Sequence, residues 1–261
     1  MRLSCKVLAE DGMVLGSALG EDEIYLVYQE KFQEGNQIVV EGEKNSFVVL
    51  QLDDALGEEL VFLREGRLDF QIPFGEKRVC YSPRSFIGER HLITVRKARD
   101  EEVNSYRNLA RNRYDQHKDT GCFPHATANV ETRGEAVFAA RNAIDGWKAN
   151  DYHGEWPYGS WGINRNPDAV ICVNFGRKIL ADKLVIYLRA DFPHDSWWKE
   201  ITIQFSDGTT ITCQLEKTGK GQEICFEKKR IEWVQLEKLI KADDPSPFPA
   251  LTQIEVYGVE G

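Results

Sequence analysis

The sequence has no apolar run approaching the roughly 20 residues that span a bilayer, and its start, MRLSCKVLAEDGMVLG, lacks the basic and unbroken apolar segments of a secretory leader. It has six cysteines but no C-x-x-C pair. A protein of the reducing cytoplasm is therefore expected, with free thiols. Cys172, Cys213 and Cys225 fall inside apolar runs, where a thiol serves as a small buried hydrophobe. Basic charge is also scarce: 33 Lys and Arg stand against 42 Asp and Glu, a net charge of -9. Polyanion binding needs clustered cations that displace counterions, so neither nucleic acid nor an anionic membrane is expected as a partner. Also missing are G-x-S-x-G, a phosphate loop, H-E-x-x-H and a dinucleotide fingerprint, which removes the commonest catalytic readings.

What is present is a packed-protein composition, 42% hydrophobic and 29% charged over 261 residues, enough for two domains. Residues 1–97 give seven short β-type runs: RLSCKVL, EIYLVYQ, QIVVE, SFVVLQL, ELVFLR, RLDFQIP and HLITVRK. Turn-formers such as Glu34-Gly35-Asn36 separate them, a spacing that predicts a β-sandwich domain with no evident chemistry. From Ala98 the period changes. Val103, Tyr106, Leu109, Ala110 and Tyr114 share one helical face, so a linking helix is predicted over 98–118.

Residues 119–261 form a second β-rich unit. Its strand candidates are 169–175, 182–189, 200–206, 209–216, 222–228, 231–239 and 251–258, with Asp207-Gly208 a strong hairpin signal and one short helical stretch at 135–146. The fold class predicted is mainly β, with two antiparallel sandwiches joined by a helix.

Seven pieces of the second unit occur in the order of the discoidin-like, galactose-binding-like jelly rolls. These are ATANVETRGEAVFAARNAIDG, Trp161-Gly162, VICVNFG, DKLVIYLR, ITIQFSDG, EWVQLEKL and LTQIEVYG. The unit resembles that family, which includes coagulation-factor C domains and bacterial carbohydrate-binding modules. The resemblance implies an eight-stranded sandwich that binds ligands in loops at one end and performs no catalysis. It also implies a structural calcium near Ala143-Ile144-Asp145-Gly146, with Asp145 as the matching ligand. Gln253 stands where the family's second acid is expected, which leaves the ion weak or absent.

Sugars show apolar faces ringed by hydroxyls, so their sites pair aromatic platforms with directional polar groups. Two loops offer that mixture: 152–162, with His153, Trp156, Tyr158 and Trp161, and 189–198, with Arg189, Asp191, His194, Trp197 and Trp198. Adjacent strand residues face opposite ways, so one of Trp197 and Trp198 is expected to be buried and the other exposed. Trp161 reads equally as a buried wedge or a platform, and Arg189 either holds hydroxyls or pairs with Asp191 or Asp195. His117, Cys122 and His125 have metal-compatible chemistry but no familiar spacing. The expected function is non-catalytic carbohydrate binding, with no cofactor other than that calcium. Two readings compete with it: a protein-interaction module, in a homo-oligomer or with another chain, and a glycan-processing enzyme.

Overall fold

The computed structural model describes residues 1–190 and 196–261. Asp191 and His194, two of the predicted ligand residues, lie outside the described residues.

All seven runs predicted in the first part are strands, and an eighth joins them. In order they are β1 (Arg2–Leu8), β2 (Val14–Glu21), β3 (Glu23–Tyr28), β4 (Gln37–Glu41), β5 (Ser46–Gln51), β6 (Glu59–Leu63), β7 (Arg67–Gln71) and β8 (His91–Lys97). Strand β2, VLGSALGE, escaped the sequence reading because it lies at a sheet edge and is built of small residues with no buried face. A four-stranded sheet, β2-β1-β4-β7, faces a five-stranded one, β10-β6-β5-β8-β3, whose β10 is Cys122–Phe123. Alternation decides what lies between them. In β1, Leu3, Cys5 and Val7 are buried while the residues between them are not.

The linking helix is short, α1 (Asp100–Asn104), and does not extend over 98–118. The apolar residues that imitate one helical face serve different cores. Leu109 and Ala110 pack into the C-terminal core, whereas Tyr114 is fully buried in the N-terminal one and donates its hydroxyl to the Gly57 carbonyl at 2.6 Å. An extended segment containing β9 (Arg107–Asn108) makes this division possible, because a single helix stripe cannot face two ways.

The remaining strands are β11 (His125–Ala128), β12 (Trp161–Gly162), β13 (Ile171–Leu188), β14 (Trp198–Phe205), β15 (Thr210–Gln214), β16 (Gln222–Lys241) and β17 (Ala250–Glu260). The stretch expected to be helical near 135–146 is instead a series of tight turns at Thr132–Gly134, Ala136–Phe138 and Ala140–Ile144. Two pairs of predicted strands have merged into β13 and β16, which carry the antiparallel sandwich through its bends. Strand β13 pairs with β11 and β16 through Ile171–Asn174, loses register, then pairs with β16 and β17 from Ile179 onward. Gly176 sits at that break with φ +70°, and a Cβ there would lie 2.4 Å from the Phe123 ring, so only glycine fits.

The interior is apolar and continuous, from Ile171 and Val173 through Leu184, Ile186 and Leu188 to Val234, Leu251, Ile254 and Val256. All six cysteines are free. The expectation for Cys172, Cys213 and Cys225 is corrected: the first two are half-buried and Cys225 is exposed, since these strand faces look outward. Cys5, Cys80 and Cys122 are the buried thiols. Among the described residues no helix is long and apolar enough to cross a membrane.

Candidate functional site

A cleft of about 300 Å³ opens at the end of the C-terminal sandwich where β13 finishes and β17 begins. The strands set its floor. Gly162 of β12 pairs with Ala250 of β17, and the Arg189 N–H donates to the Ala250 carbonyl at 3.2 Å, so the chain after β13 emerges beside the start of β17. A Cβ on Gly162 would lie 2.5 Å from Thr132 Oγ1 and 3.3 Å from Phe138 Cβ. Glycine there lets the 132–138 turns close over the strand as one wall.

That wall carries Arg133 and Phe138, and the lining also includes Arg165 and Phe248. Arg189 and His153 complete the lining. Arg189 is only 4% exposed; its Nη1 donates to Ser160 Oγ at 3.4 Å and its guanidinium lies 5.9 Å from the Phe138 ring centre. Arg133 stands 5.8 Å from the same ring and makes two hydrogen bonds to the Glu135 carboxylate, at 2.6 and 2.8 Å. Arg165 is exposed and stacks 4.5 Å from the centre of Phe248, itself 40% exposed. His153 stacks on Tyr152 at 5.7 Å. Guanidinium groups over aromatic rings, with an imidazole beside them, make a hollow rich in hydrogen-bond donors with apolar patches.

The predicted residues divide accordingly. His153 and Arg189 line the cleft. Trp161 and Trp198 are corrections: both are buried in the core, 0% and 1% exposed, with ring centres 6.2 Å apart, so neither offers a face to a ligand. The Trp161 indole N–H donates to the Val130 carbonyl at 2.9 Å, which fixes it as a wedge. Trp197 is half-buried and packs against that core just before β14 begins, so the pair has one buried ring as expected but no fully exposed one. Trp156 is half-buried away from the cleft. Its ring meets Trp147 edge-on at 5.4 Å, Trp147 in turn carries the Arg113 guanidinium at 5.3 Å, and the backbone N–H of Trp156 donates to the Val79 carbonyl at 2.8 Å. This ties the loop to the N-terminal unit. Tyr158 is half-buried outside the cleft and packs edge-on to Tyr152 at 5.7 Å.

Sequence reasoning missed Arg133, Phe138, Arg165 and Phe248. Phe248 could have been found from its place between two prolines just before the closing strand, in PSPFPALTQ.

The calcium reading fails at Asp145. The Gln253 side chain engages Asp145 instead: its Nε2 donates to Asp145 Oδ1 at 2.7 Å and to the Asn142 carbonyl, while its Oε1 accepts from the Gly146 N–H at 3.0 Å. The buried Arg141 guanidinium lies 3.9 Å from Asp145 Oδ2. N–H donors and a fixed positive charge here repel a cation that needs oxygen ligands. Burial pushes the Asp145 carboxyl up to about 7, against the opposing pull of Arg141 and the hydrogen bonds from the Trp147 N–H and Gln253. The second metal candidate also separates. His117 Nδ1 pairs with Glu131 at 3.1 Å, Cys122 Sγ lies near Asn112 and Thr120, and His125 Nδ1 meets the buried Asp115 at 2.6 Å. Among the described residues no group of three or more His, Cys, Asp or Glu side chains is placed to hold a metal.

No family model and no curated protein matches the sequence. Among solved structures the chain is similar to chitosan-binding module 1 of a chitosanase/glucanase from Paenibacillus sp. IK-5, at 22% identity over 58% of this chain and 98% of that one, TM-score 0.42. It is similar too to the family 32 carbohydrate-binding module of C. perfringens NanJ in complex with galactose, at 15% identity over 59% and 99%, TM-score 0.42. A third is the lectin domain of lectinolysin complexed with Lewis B antigen, at 18% identity over 58% and 96%, TM-score 0.41.

Proposed function

We propose that the C-terminal sandwich binds a carbohydrate in the cleft between Phe138 and Phe248 and performs no chemistry on it. The observation that carries this reading is Arg189, a nearly buried guanidinium at the floor of an open hollow flanked by two aromatic rings. A sugar ring meets the exposed part of Phe248 with its apolar face, while Arg189 and His153 bond its hydroxyls. The lining gathers guanidinium, imidazole and aromatic groups, the directional donors and apolar faces that a sugar ring engages.

The test is titration of a panel of monosaccharides and oligosaccharides by calorimetry, with Phe248→Ala alongside. Phe248 is 40% exposed and on a loop, so the substitution leaves the melting temperature within about 2 °C of the parent. Binding of whichever saccharide the parent takes is lost. An unaltered affinity in Phe248→Ala counts against the cleft.

A further inference from the structure

Resting on that reading, we infer that the N-terminal unit holds the sugar site in shape: its turn Gly75–Arg78, with Val79 after it, supports both the Phe138 wall and the His153 loop, and Glu76 is the positioning residue. The turn lies outside the cleft lining. Its hold begins with a charge-assisted hydrogen bond, in which the Ala136 N–H donates to Glu76 Oε1 at 2.5 Å. Ala136 opens the turn Ala136–Phe138 and packs against the N-terminal core. From that turn the contacts run on to the cleft floor. The Ser160 N–H donates to the Val137 carbonyl at 3.0 Å, and the Ser160 hydroxyl accepts from Arg189 Nη1 at 3.4 Å.

Further contacts fasten the same segments to the N-terminal unit. The backbone N–H of Trp156 donates to the Val79 carbonyl at 2.8 Å, just after His153 in the same loop. In the turn that follows the wall, Arg141 Nη1 donates to Cys80 Sγ at 3.7 Å, and its guanidinium lies 4.6 Å from the centre of the Tyr81 ring. Asn142 joins that turn to the wall by donating to the Ala136 carbonyl at 2.8 Å. The wall has few bonds of its own: the Phe138 N–H donates to the Glu135 carbonyl at 3.0 Å and the Ala139 N–H to the Ala136 carbonyl at 3.3 Å. A wall made of such short turns keeps a ligand-ready geometry when a rigid body carries it, and ordering it on binding costs affinity.

The experiment uses the whole chain and the saccharide it binds most tightly in the panel above. Glu76→Ala removes the acceptor at an exposed position, so the melting temperature stays within about 2 °C of the parent. Its affinity for the saccharide falls about tenfold. Glu76→Gln, which keeps an acceptor oxygen at the same reach, recovers most of the loss. Hydrogen exchange reads the same contacts with no sugar present: the Ala136 and Ser160 amides exchange faster in Glu76→Ala, while those of β1 are unchanged. An affinity in Glu76→Ala within about twofold of the parent overturns the inference while carbohydrate binding stands. So does an equal loss in both variants, or unaltered exchange at the two amides. Failure of every saccharide on the parent overturns both readings.

Discussion

Replacing Gln253 by alanine is the sharpest perturbation of the C-terminal unit. Gln253 is 1% exposed on β17, and its amide joins that closing strand to the Asn142, Asp145 and Gly146 groups more than a hundred residues earlier. The variant leaves two buried acceptors and one buried donor without these partners, and opens a small cavity. At about 1 kcal/mol or more for each abandoned polar group, plus the lost packing, the cost is ~3–5 kcal/mol. A sandwich of this size loses about 3 °C per kcal/mol, so melting falls by about 10–15 °C in a calorimetric scan. Millimolar calcium leaves the parent unchanged, because the Gln253 amide already engages Asp145 and the neighbouring Arg141 guanidinium repels a cation. Gln253→Glu removes the donor, sets a second carboxylate against Asp145 and becomes responsive to calcium. A loss below about 1 kcal/mol in Gln253→Ala, or a parent whose melting temperature climbs with calcium, refutes the reasoning.

Three further outcomes follow from the same contacts. The Asp145 carboxyl is raised from 3.8 when unfolded to about 7 when folded, so the folded chain keeps a proton that the unfolded chain releases between those values. The group's stabilising contribution is complete below about pH 4 and is lost as pH rises through 7. In Asp145→Asn, which cannot ionise, the stability lead of the parent therefore narrows by up to ~4 kcal/mol between pH 4 and pH 8 in urea unfolding. Arg165 has φ +62°, so Arg165→Gly relieves ~1–2 kcal/mol of backbone strain but loses the contact with Phe248, ~0.5–1 kcal/mol, and gains unfolded-state entropy of similar size, and its melting temperature stays within about 2 °C. A large drop would refute that balance. Phe248→Ala combines an intact fold with lost sugar binding, by the calorimetry described above.

Strands were legible because alternation leaves a periodic mark: every β run read from residues 1–97 is present, and Leu184, Ile186 and Leu188 form one inner face as their spacing requires. The linking helix was overread because Leu109 and Tyr114 share a helical period yet belong to different cores, a tertiary fact with no local signature. Loop position drew attention to Arg189 and His153, and both line the cleft. Tryptophans beside strand starts misled, since Trp161 and Trp198 carry the same sequence signal whether they face water or the core. Arg165 and Phe248 are single residues in turn and proline-flanked segments, and only folding stacks them together at one hollow.

A crystal structure of the protein with a bound saccharide tests the central claim most directly. The account predicts the sugar between Phe248 and Phe138, within hydrogen-bond distance of Arg189 and His153. Density for the sugar over Trp156 and Tyr158, or anywhere outside that hollow, contradicts it.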